Sequence, residues 1–173
     1  MADGFKPVYD KNSKVLILGS FPSVKSREVG FYYGNPQNRF WKMLEKTFCE
    51  EIGNPTEGKI QFLLRHNIAL YDVVKKSNLT GSADATLEKS NNTLANIRCL
   101  LPPHTKVEKI LCNGKTSYSL LTQKHSQNNI EILDNTPHFL TSSSKKIPIY
   151  CLPSTSSANP RFSYEVWLNA LSK

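Results

Sequence analysis

Residues 14–19, KVLILG, run through four apolar side chains without a polar interruption and stop on a glycine. A strand with one wet face alternates apolar and polar residues. A continuous short run has to be covered on both faces, which is the situation of a parallel sheet lying between helices. Apolar-rich stretches at 68–74 (IALYDVV), 107–112 (VEKILC) and 147–152 (IPIYCL) read as three further strands. Helical spacing fills the intervals. A helix is predicted to begin near Asn38, with Phe40, Trp41, Leu44 and Phe48 on one face. Others are predicted at 56–65, from 113 onward (NGKTSYSLL) and at 162–171, the last built around Val166, Trp167 and Leu171. Residues 92–101 read as a further helix stopped by Pro102 and Pro103, 75–86 as a polar surface loop, and 130–133 as a small accessory strand. Strands alternating with helices imply an α/β fold: a three-layer α/β/α sandwich around a central, mainly parallel, four-stranded sheet. The 173 residues fit a single domain, 1–173, long enough to bury its own core.

In such sheets ligands bind beyond the carboxyl ends of the strands. Three polar loops leave those ends, at 20–38, 75–86 and 153–161, and are expected to converge on one cleft. The first contains GFYYGNPQNRFW (30–41), in which aromatics, amides and an arginine crowd together with no apolar periodicity until the end. A net charge of +8, from 22 basic against 14 acidic residues, favours a polyanionic partner such as nucleic acid. Cys49, Cys99, Cys112 and Cys151 are scattered without a CxxC pair, and His66, His104, His125 and His138 lack ligand spacing. No metal, iron–sulfur cluster or cofactor is expected. GxSxG, Walker and GxGxxG motifs are absent. The polar beginning of the chain and the lack of a long apolar segment point to an intracellular protein, nuclear or cytoplasmic, away from membranes. What remains is a cleft of amides, hydroxyls and aromatics, able to stack a planar heterocycle, read its polar edge and orient a water.

GSFPS (19–23), YYGNPQNRFW (32–41) and LPSTSSANP (152–160), in that order after apolar strands, resemble the uracil-DNA glycosylase superfamily. The likeness is strongest to its hypoxanthine (deoxyinosine) branch, with the mismatch-specific uracil/thymine enzymes as cousins. The resemblance implies a monofunctional, monomeric DNA glycosylase of base excision repair. It would hydrolyse the N-glycosidic bond of a deaminated base, hypoxanthine first and uracil second, after the nucleotide is turned out of the duplex. Tyr33 would carry the stacked base, the alternative being a core tyrosine. Asn38 would orient the attacking water, the alternative being a helix N-cap. Phe21 stands where many members carry a water-activating acid or asparagine, and Leu152 where many carry a histidine. Backbone N–H groups of Ser20 and Phe21 are therefore the implied donors to the departing base. Asp72 would read the base edge or else cap the following loop, and Phe21 and Asn35 complete the base-binding candidates. Ser154, Thr155, Ser156 and Ser157 would contact DNA, with Lys145, Lys146 and Arg161 flanking them and Asn113 and Lys115 near a phosphate. A mismatch-type uracil or thymine glycosylase and a catalytically silent nucleic-acid-binding module on the same fold are the other readings.

Overall fold

A computed structural model describes residues 1–53, 55–78, 87, 92–126, 138–142 and 145–172. The four apolar runs are strands: β2 (Val15–Gly19), β3 (Ile68–Asp72), β6 (Lys109–Asn113) and β8 (Lys145–Leu152). They lie parallel in the order β3-β2-β6-β8, with Gly19 opposite Asp72, Leu18 opposite Cys112 and Asn113 opposite Leu152. Every residue of β2 and β3 is buried, as a run without alternation requires. Among the described residues the sheet has five strands rather than four. β7 (His138–Ser142) adds an antiparallel edge beside β8, pairing His138 with Ile149 and Ser142 with Lys145. Short and polar at both ends, it carried too little apolar pattern to be predicted.

Among the described residues the α-helices are α1 (Val24–Val29), α2 (Phe40–Phe48), α3 (Thr56–Arg65), α4 (Lys115–Ser126) and α5 (Tyr164–Ser172). The chain crosses from β2 outward to β3 through α1–α3, and from β6 outward in the opposite direction to β8 through α4. Right-handed crossovers running in opposite directions put these helices on opposite faces, which makes three layers. Phe40, Met43 and Leu44 of α2, Phe62 and Leu63 of α3 and Trp167 of α5 are completely or almost completely buried.

A second, smaller sheet joins β1 (Ala2–Asp3), β4 (Val74–Ser77) and β5 (Asn92–Leu94) in the order β1-β4-β5, all antiparallel. It corrects two expectations. Residues 92–101 are not one helix: 92–94 pair with β4, Ala95 N–H donates to Val73 C=O, and only Ile97–Leu100 coil, as a 3₁₀ turn. Cross-strand pairing outcompetes a weak helical propensity ahead of two prolines. The segment after β3 is likewise not a loop at the ligand end, because 74–77 turn away as β4. The rest of that segment and the accessory strand expected at 130–133 fall outside the described residues.

Candidate active site

Two strands whose connections leave to opposite faces, β2 and β6, lie side by side, and a crevice opens at their carboxyl ends. Its lining includes Ser20 and Phe21 after β2, Tyr33 and Asn38 before α2, Asp72 ending β3, Asn113 ending β6 and Ser154 to Ser156 after β8. The cleft volume open to the centres of water molecules is about 120 Å³, against the ~10–15 Å³ one water needs. It is more than a water pocket.

Gly19 explains why the crevice can form. A Cβ built on it would lie 2.2 Å from Asp72 Oδ1 and 3.0 Å from the Tyr33 hydroxyl, so both oxygens use the space a side chain would fill. Asp72 itself is only 4% exposed. Carbonyls of Gly19 and Ser20 accept from the N–H groups of Val73 and Val74 at 2.9 and 3.0 Å, which fixes the backbone leading into Phe21. Beside it the hydroxyl of Tyr32 donates to Lys6 C=O at 3.0 Å. Burial, and then the nearby Asp72 carboxylate, hold this phenol well above the usual range, so it stays protonated.

Tyr33 is stacked on the buried ring of Phe40, with centroids 3.9 Å apart and planes 20° from parallel. One ring face is therefore backed by the core. The residue has φ of 51°, the left-handed region that tyrosine seldom adopts, and the strain aims a large aromatic at the cleft. Phe21 is half-buried at the same mouth, with the Arg27 guanidinium 5.6 Å from its ring centroid.

A chain of hydrogen bonds links three elements across the cleft floor. Asn38 Oδ1 accepts from Phe40 N–H at 2.9 Å and from the Thr155 hydroxyl at 2.8 Å. That hydroxyl accepts from Asn113 Nδ2 at 2.9 Å, while Thr155 N–H donates to Asn113 Oδ1 at 2.8 Å. The capping role and the site role of Asn38 coexist, because α2 begins on its carboxamide oxygen and no side-chain cap comes from Arg39.

Arg39 was not singled out from sequence. Its Nη1 donates to the carbonyls of Ser156 (2.9 Å) and Asn159 (3.1 Å), its Nη2 to that of Ser157 (3.4 Å), and the guanidinium lies 5.1 Å from the Phe162 ring centroid. Asn159 Nδ2 closes the same loop on Ser154 C=O at 2.8 Å, and Trp167 Nε1 holds Pro153 C=O at 2.8 Å. A signal existed: an arginine at a helix N-terminus opposes the macrodipole and needs another reason to be there.

Several expected contacts are not assembled here. Thr155 is fully buried, so its side chain faces the interior network and not DNA. Asn113 spends its carboxamide on Thr155. Asn35 is absent from the cleft lining, its Oδ1 closing a turn onto Gln37 N–H at 3.0 Å. Lys145 and Lys146 begin β8, the end opposite the 153–161 loop, so they do not flank it. Seven strand steps at ~3.3 Å put Lys145 about 23 Å from Leu152. Ser154 and Ser156 remain half-exposed and Ser157 exposed, while Lys115 and Arg161 line a separate hollow behind the loop with Gly114, Cys151 and Asn159. Among the described residues no group of histidine, cysteine and carboxylate side chains is arranged to hold a metal ion, and no helix is long and apolar enough to cross a membrane.

The model of the uracil DNA glycosylase superfamily matches residues 6–170. The chain belongs to the uracil DNA glycosylase superfamily. Two relatives described as hypoxanthine DNA glycosylases are similar to it. That from Methanosarcina barkeri is 34% identical over 115 residues, 66% of this chain and 72% of the relative. That from Methanosarcina acetivorans is 35% identical over 114 residues, 65% and 70% of the two. A solution NMR structure from M. acetivorans, described as a candidate uracil DNA glycosylase, superposes with a TM-score of 0.71 at 28% identity, covering 99% of this chain and 98% of that one. This superfamily member is thus a DNA glycosylase, a hydrolase of N-glycosidic bonds whose substrate is DNA. The three-layer fold read from the four apolar runs is the fold of the family.

Proposed function

We propose that this glycosylase removes hypoxanthine from DNA as a monofunctional, monomeric enzyme of base excision repair, with uracil as a secondary substrate. The observation that carries the reading is Asp72, a buried carboxylate at the end of β3 against the stacked ring of Tyr33. In its ionised form this group only accepts. It suits the ring N–H that deamination places on a six-membered lactam, and it meets adenine, whose corresponding nitrogen is an acceptor, with a repulsive pair. The two relatives described as hypoxanthine DNA glycosylases support the same choice.

In this mechanism the extruded base stacks on Tyr33, with its polar edge toward Asp72 and Phe21 at the mouth. The N-glycosidic electron pair leaves with the base. Negative charge developing there is met by the backbone donors around Ser20 and Phe21, held by the bonds from Val73 and Val74. A water positioned by Asn38 adds through oxygen to the sugar C1′, and the base takes up a proton. Ser154, Ser156 and Ser157, on the loop fixed by Arg39, serve the DNA backbone, with Lys115 and Arg161 adding positive charge behind it. Duplexes labelled on one strand and carrying inosine, uracil or xanthine, treated with enzyme and then alkali, test this. Strand cleavage at inosine is expected, with no borohydride-trapped complex, since water and not an amine is the nucleophile. Cleavage at uracil alone would favour a mismatch-type enzyme, and binding without cleavage a silent module.

A further inference from the structure

We propose that Asn113 is a positioning residue for Asn38, acting through the Thr155 hydroxyl, and that this relay decides which end of the Asn38 carboxamide meets the substrate. The inference deepens the reading of Asn38 as the group that orients water. It starts from two donors that cannot act as anything else. Phe40 N–H identifies the Asn38 atom it touches as oxygen, and Thr155 N–H does the same for Asn113. Asn113 Nδ2 then points at Thr155 Oγ1 and must donate to it. The hydroxyl, filled from that side, has one proton, and it goes to Asn38 Oδ1 at 2.8 Å.

With both lone pairs of Oδ1 occupied, Asn38 offers the cleft its NH₂ end. It meets a water as a donor and leaves a lone pair of that water free for the sugar carbon. A rotation by half a turn would present C=O instead and break both bonds to Oδ1. The relay makes that state costly, because Thr155 is completely buried and no solvent replaces the lost partners. Asn113 and Thr155 stand 42 residues apart and Thr155 lies 117 residues from Asn38, so β6, the loop after β8 and the start of α2 are tied into one unit.

Three variants test the relay: Asn113→Asp, Thr155→Val and Thr155→Ser. Asn113→Asp keeps the acceptor for Thr155 N–H but turns the hydroxyl toward itself. Thr155→Val keeps the shape and removes the hydroxyl. Either should lower the single-turnover rate on inosine DNA on the order of 10- to 100-fold with duplex affinity retained, and Thr155→Ser should restore most of it. In an Asn38→Ala background Asn113→Asp should cost nothing further. In the DNA-free protein the side-chain amide NMR signals of Asn38 should shift or broaden in Asn113→Asp and Thr155→Val. Unchanged Asn38 signals, or a loss that multiplies with Asn38→Ala, would overturn the relay. If inosine is not a substrate but the Asn38 signals respond, the relay stands and the substrate reading fails.

Discussion

Replacing Asn38 by aspartate separates two roles that alanine would remove together. The carboxamide oxygen accepts from Phe40 N–H at 2.9 Å and from Thr155 at 2.8 Å, and an aspartate oxygen can accept both. Aspartate is also a good N-cap and sits favourably at the positive end of α2. Stability should therefore survive. The NH₂ end is lost, and with it the donor to water, at an expected cost on the order of 100-fold in single-turnover rate. Asn38→Ala loses the cap as well, about 1 kcal/mol, and leaves the buried Thr155 hydroxyl without its acceptor, about 1–3 kcal/mol more. At about 2–4 °C per kcal/mol for a chain of this size, Tm should fall roughly 4–16 °C for alanine and only a few degrees for aspartate. Thermal unfolding and single-turnover excision on the same two preparations read both quantities. An Asn38→Asp enzyme with undiminished rate would refute the donor role. One as unstable as the alanine variant would refute the capping geometry.

Tyr33→Ala should lower excision efficiency roughly 5- to 150-fold, the equivalent of about 1–3 kcal/mol of base stacking, whereas Tyr33→Phe keeps the ring on Phe40 and most of the activity; equal loss in both would make the hydroxyl the important group. Arg39→Ala should weaken DNA binding and speed amide exchange at Asn159, and Arg39→Lys should not repair it, because one ammonium cannot span three carbonyls; full rescue by lysine would reduce Arg39 to a point charge. Glu50 bridges His66 and Arg65, and the hydrogen bond from His66 first, then that from Arg65, hold its carboxyl below the ordinary value of 4.5. The stabilisation is fully present above the unfolded-state value and is lost as pH falls through the lower folded-state one, so Glu50→Gln should lower Tm at neutral pH and flatten the acid limb of the Tm–pH curve. Parallel curves for the two proteins would show that the bridge contributes nothing.

How far the sequence carries depends on the range of the interactions involved. KVLILG and IALYDVV were legible as strands because burial on both faces leaves a local mark. IPIYCL was legible from its apolar residues, although only one of its faces is covered, with Ile147 and Ile149 buried and Tyr150 and Cys151 exposed. α1 carries no apolar stripe. It is written only in punctuation: Ser23, whose Oγ accepts from Ser26 N–H at 3.1 Å, a Lys25–Glu28 pair at 2.9 Å, and Gly30 at φ 81° as the C-cap. That Ser20, Phe21, Tyr33, Asn38 and Asp72 share one cleft followed from strand ends meeting at the sheet edge. Their partners did not follow. Arg39 finds carbonyls 117 to 120 residues away, and nothing local says whether Thr155 looks outward to DNA or inward to Asn113. Lys145 misled in the opposite sense, since closeness in sequence to the 153–161 loop is distance in space once the interval is an extended strand.

Chromatographic detection of the released base tests the central claim most directly. Wild-type protein in excess over a duplex carrying a single deoxyinosine should release free hypoxanthine in a stoichiometric single-exponential phase, leave an intact abasic strand until alkali is added, and release no adenine from the matched duplex. Release of adenine alongside hypoxanthine would contradict the role given to Asp72. A duplex that stays bound and unaltered would contradict the account as a whole.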